Sequence, residues 1–131
     1  MRLHHVGLAV RDLEAALSRY RLLGYRLGQK GEVPEQGVRV YWLVAEAGGV
    51  ALELLSPTGP ETPVGRFLEK RGEGVHHLAF ATPDLEAALS RLKAAGLPLV
   101  DETPRVGFSG HRVAFVHPKA FLGTLVELVE E

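Results

Sequence analysis

Four residues of this 131-residue chain are of types and at places that could do chemistry together: His5, Glu53, His77 and Glu127. His5 lies in "LHHVGLAV" and His77 in "VHHLAFAT", and each is followed at alternate positions by small residues, Gly7 and Ala9 in one and Ala79 and Ala81 in the other. Side chains of a strand alternate between its faces, so each histidine shares a face with open space above it. The neighbouring His4 and His76 fall instead with Val6, Leu8 and Val10, or with Leu78 and Phe80, on a bulky face suited to packing against a helix. Glu53 in "VALELLS" and Glu127 in "GTLVELVE" interrupt apolar runs at matching places. A desolvated, unpaired carboxylate costs several kcal/mol, so each needs a cation or water beside it. Two imidazoles and two carboxylates suit a divalent ion with positions left for water or substrate oxygens, and no thiolate is present to make a closed structural zinc site.

Taken singly, each of the four has an ordinary reading. A histidine in a strand is commonly a core or surface residue, and a glutamate in an edge strand discourages sheet-to-sheet pairing. Their recurrence in register favours the metal, although a duplication copies structural residues as faithfully as functional ones.

The elements that must position these residues come in two copies. "DLEAALSR" occurs at Asp12–Arg19 and again at Asp84–Arg91, an offset of 72 residues. Each copy opens with a strand and continues into a helix started by Asp12 or by Thr82-Pro83-Asp84. Leu13, Ala16, Leu17 and Tyr20, matched by Leu85, Ala88, Leu89 and Leu92, form one apolar stripe per helix, and Gly24 and Gly96 stand where a left-handed cap ends it. Three strand-like runs follow in each copy: "YRLGQ", "GVRVYWLVAE" and "GGVALELLS", then "LPLVDE", "HRVAFVH" and "TLVELVE". The reading is an α+β fold of two tandem βαβββ modules, 1–56 and 75–131, in a single domain. The Pro- and Gly-rich stretch 57–74 between them is read as a linker with one short helix near Pro63–Lys70. A module of about 55 residues is marginal alone, so the two associate and leave a groove.

The 15 basic and 16 acidic residues are interspersed, which gives no field for nucleic acid or an anionic membrane and points to a small-molecule partner. There is no cysteine, no apolar run long enough to span a bilayer and no signal-like N-terminus, so the expected location is the cytoplasm.

"HHVGLAV" with "DLEAAL", then "VPEQGV", "FLEKRGEGVHHLAF" and "PRVGFSGHRVAFVHPKAFLGTLVELVE" resemble the methylmalonyl-CoA epimerases of the vicinal oxygen chelate (glyoxalase-like) superfamily over essentially the whole chain. "HHLAF" alone fits many members of that superfamily, whereas "PEQGV" and "HPK" followed by "LVEL" are more specific. The resemblance implies paired βαβββ modules forming a curved mixed sheet around a metal-containing cleft. It places the ligands of a divalent ion (Co, Mn, Ni or Zn) at His5, Glu53, His77 and Glu127. It implies Glu35 and Glu127 as the two acid/base residues that remove and return the C2 proton of methylmalonyl-CoA through a metal-stabilised enolate, in a homodimer. Read without the family, Glu35 is a solvated turn residue. Gln36, Arg105 and Lys119 are the further residues assigned to an acyl-CoA substrate, while His111 and His117 are read as structural. "AFLGTL" departs from the more polar loop frequent in these epimerases. The alternatives are a glyoxalase I-type lactoylglutathione lyase and a non-catalytic small-molecule-binding protein of the same fold.

Overall fold

Asp12 and Asp84 start the two equivalent helices in the same way. Each holds an extended backbone and accepts the amide of the residue three positions on, Ala15 or Ala87, at 3.0 Å, which satisfies one of the donors a helix start leaves open. The computed structural model describes residues 1–131, the Ser109 side chain excepted. The chain divides into two compact units, His5–His76 and Met1–His4 with His77–Glu131. The stretch 57–74 lies within the first of these.

In the first unit the part of β1 (Arg2–Ala9) from His5 onward leads to α1 (Leu13–Arg21), then to β2 (Tyr25–Val33), β3 (Val38–Ala45) and β4 (Ala51–Pro57). β1 pairs parallel with β4, which pairs antiparallel with β3, and β3 with β2. α1 buries its apolar stripe on this sheet, with Leu17 set among Leu8, Val10, Leu43 and Leu54. Thr62 caps α2 (Pro63–Arg71), which buries Val64 and Leu68 beside β4. The second unit repeats the plan with β5 (Gly74–Thr82), α3 (Leu85–Ala94), β6 (Arg105–Val106), β7 (Arg112–Val116) and β8 (Val126–Glu130). β5 pairs parallel with β8, which pairs antiparallel with β7, and β7 with β6. Leu85, Ala88 and Leu89 of α3 meet Ala114, Val116, Val126 and Leu128. Each unit is therefore a βαβββ module, as the repeat implies.

Two strands differ from the sequence expectation. β2 runs on past "YRLGQ" to Val33, although its outer half is exposed on both faces. Pairing to β3 carries it, with a register shift between Leu27 and Gln29, so its extent is not written in hydrophobic alternation. "LPLVDE" makes no strand. Only Leu99 bridges to Val116, and the amides of Val100 and Asp101 both turn to the Phe115 carbonyl at 3.0 Å. The Asp101 carboxylate takes the Phe115 N–H at 2.8 Å, so a side chain fills the ladder position a backbone carbonyl would hold. The strand that does pair with β7 on this side, β6, begins three residues after Glu102 and meets Arg112 and Val113. Among the described residues no helix is long and apolar enough to cross a membrane.

Candidate metal centre

Glu53 is placed by its register. In the parallel β1–β4 ladder it stands beside Gly7, two residues along from His5, and on its other side it faces Trp42 of β3. His5 Nε2 lies 3.4 Å from Glu53 Oε1. The Trp42 ring stands edge-on to the imidazole, centroids 4.8 Å apart at 66°. His5 is 3% exposed and Glu53 7%.

The second unit contains the same arrangement built from other residues. Glu127 of β8 stands beside Ala79 of β5, two residues along from His77, and faces Phe115 of β7. His77 Nε2 lies 3.2 Å from Glu127 Oε1, and the Phe115 ring is edge-on to the imidazole at 5.7 Å and 83°. His77 is 2% exposed and Glu127 7%. What has been duplicated is thus a constellation of histidine, carboxylate, small residue and aromatic, not isolated residues. The aromatics were missed in the sequence; their signal is that Trp42 and Phe115 occupy matching places in the third strand of each module.

Carboxylates this deeply buried require positive charge beside them. Two imidazole nitrogens and two carboxylate oxygens without thiolate suit a divalent ion of borderline to hard character. Each unit thus holds one buried His–Glu pair, His5 with Glu53 and His77 with Glu127, of the donor types that a metal ion takes. The other two strand histidines do different work: His4 pairs with Glu131 at 3.3 Å and stands edge-on to His111, whereas His76 packs against Phe67.

Glu35 sits exposed in the 3-10 turn Pro34–Gln36 at the tip of the β2–β3 hairpin, and Gln36 is half-buried. Pro34 begins the turn and Gly37 ends it in the left-handed region at φ 66°. The Gly37 carbonyl accepts Thr58 N–H at 2.8 Å. A Cβ on Gly37 would come within 2.5 Å of Thr62 Cγ2, so the turn rests directly on the cap of α2. Arg105 is engaged by Asp101, with Nε 3.2 Å from Oδ2. Lys119 is exposed on the turn Pro118–Phe121, where His117 Nδ1 accepts its N–H at 3.0 Å, and Leu122 closes that turn in the left-handed region.

Residues 4–115 match the model of the Glyoxalase/Bleomycin resistance protein/Dioxygenase superfamily. An ethylmalonyl-CoA/methylmalonyl-CoA epimerase of Cereibacter sphaeroides is 42% identical, covering 97% of this chain and 96% of its own length. The chain belongs to the methylmalonyl-CoA epimerase family of that superfamily. Solved members are similar throughout. The methylmalonyl-CoA epimerase of Mycobacterium tuberculosis superposes with a TM-score of 0.94 at 38% identity, covering 98% of this chain and 87% of that one. A variant of the Streptomyces coelicolor methylmalonyl-CoA epimerase, solved in complex with 2-nitronate-propionyl-CoA, gives 0.92 at 38% identity over 100% of this chain and 94% of that one. The paired modules are therefore the fold of the family.

Proposed function

We propose that this chain is a metal-dependent methylmalonyl-CoA epimerase, with His5, Glu53, His77 and Glu127 holding a divalent ion and Glu35 and Glu127 serving as the two acid/base groups. The observation that carries the reading is the buried His–Glu pair built twice on one plan, in a chain of this family. The substrate carbon bears its hydrogen between a thioester and a carboxylate. A divalent ion bound by these side chains supplies the positive charge that stabilises the enolate as it develops. Inversion needs a base on each face of the carbon: one carboxylate takes the proton and the other delivers one from the opposite side. The Pro34 and Gly37 ends of the Glu35 turn, and its seat on Thr62, hold the first base in a fixed loop. Gln36 and Lys119 are the further residues we assign to the acyl-CoA. A cytoplasmic homodimer is the form we propose for the enzyme, and light scattering of the purified protein checks its mass.

The test is to strip the protein with a chelator, reload it with Co, Mn, Ni or Zn, and supply one epimer of methylmalonyl-CoA. A mixture of both epimers that forms only with metal is expected. A metal-replete protein that leaves the single epimer unchanged contradicts the reading. Turnover of a glutathione hemithioacetal in its place would move the chain to the glyoxalase I-type activity.

A further inference from the structure

The two copies of the centre are backed differently. Trp42 has a strand on both sides, with Glu53 of β4 on one and Gln29 of β2, at the edge of the register shift, on the other. Phe115 has Glu127 of β8 on one side, but the β6 ladder reaches only Arg112 and Val113, and among the described residues no strand pairs with Phe115 on its other side. Asp101 and Arg105 occupy that place. Asp101 binds the Phe115 backbone twice, its N–H donating to the Phe115 carbonyl at 3.0 Å and its Oδ2 accepting the Phe115 N–H at 2.8 Å. The same oxygen lies 3.2 Å from Arg105 Nε. The guanidinium lies over the Phe115 ring, its Cζ 5.3 Å from the centroid. The other side of the contact chain is His77, whose imidazole meets that ring at 5.7 Å and 83°.

We propose that Asp101 and Arg105 are positioning residues: they lock Phe115 in place, and its ring in turn fixes the His77 imidazole for the metal ion. This rests on the metal-centre reading above. The carboxylate replaces the missing strand and sets the backbone of β7, and the cation holds the ring face by its attraction to the aromatic quadrupole. A histidine ligand is useful only at one ring orientation, and loss of a group that orients a ligand typically costs about 10–100-fold in metal affinity. Arg105 is accordingly spent within the fold and not on the substrate.

The experiment titrates Co²⁺ into apoprotein and records affinity and the visible absorption of the bound ion, which reports ligand geometry. Arg105→Gln and Asp101→Asn are each expected to weaken Co²⁺ binding by about 10–100-fold and to alter the spectrum, with the apoprotein still melting cooperatively. Arg105→Lys, which keeps the charge, is expected to recover part of the affinity. Lys93→Gln, which removes the exposed Lys93–Glu102 pair next to this segment, is the control and leaves binding unchanged. Binding within twofold of wild type with an unaltered spectrum in both variants overturns the proposal. Failure of the wild type itself to bind Co²⁺ overturns the metal-centre reading and this proposal with it. If Asp101→Asn does not fold, the more exposed Arg105→Gln carries the same readout.

Discussion

At the scale of single residues, the centre depends on where charge is placed in a region that excludes water. Glu53 and Glu127 occupy equivalent positions, yet the proposal gives only Glu127 a proton to move. Glu53→Gln keeps an oxygen donor and removes one negative charge, so it is expected to retain Co²⁺ at reduced affinity, measured by titration calorimetry. Glu127→Gln is expected to lower kcat by about 10²–10⁴-fold, the usual worth of a positioned acid or base, in a variant that still binds metal. The four candidate ligands stand out in the sequence because strand parity separates His5 from His4 and His77 from His76, and because Glu53 and Glu127 interrupt apolar runs. The aromatic partners do not. Trp42 and Phe115 stand out only once the ladders place each opposite a glutamate. Asp101 was hidden for another reason: "LPLVDE" has the composition of a strand, and only the hydrogen bonds show its carboxylate standing in for one.

Elements deliver these residues with unequal security. α1 and α3 are fixed by caps and buried stripes, so Leu17→Ala or Leu89→Ala is expected to cost about 2–5 kcal/mol in chemical denaturation. Both helices were readable, because their periodicity and aspartate caps are local signals. The turn carrying Glu35 is held by its neighbours. Gly37→Ala meets Thr62 and an unfavourable φ of 66° together, and is expected to cost at least about 1–2 kcal/mol while lowering kcat more than KM. A raised KM with kcat unchanged would mean that the turn serves binding alone. Surface pairing contributes little by comparison. The hydrogen bond from Lys93 holds Glu102 below the ordinary carboxylate value and raises Lys93 above its own. The pair's contribution is therefore present above the ordinary glutamate range and fades as pH falls through the lowered Glu102 value. It fades again as pH rises through the raised Lys93 value. Solvent screening keeps it small, so Lys93→Gln is expected to leave the melting temperature nearly unchanged at neutral pH.

For the whole molecule, the duplication supplies a complete His–Glu pair from each module, and the proposed bases also come one from each half, Glu35 from the first and Glu127 from the second. Binding of an ion only to the folded chain must then stabilise it. At a free concentration one hundred times Kd the gain is about 2.7 kcal/mol, on the order of 10 °C in Tm for a chain of this size. A melting temperature indifferent to chelator would contradict a folded-state metal site. The repeat made the two-module fold readable in outline, whereas the extents of β2 and β6 depended on pairing with strands distant in sequence. The most direct test of the account follows the C2 hydrogen of each methylmalonyl-CoA epimer by proton NMR in D₂O with metal-loaded Glu35→Gln. With one base left, a single epimer is predicted to exchange its hydrogen for deuterium with its configuration retained, while the other keeps its hydrogen and neither converts. Exchange of both epimers with continued interconversion would show that Glu35 is not one of two bases, and would contradict the mechanism.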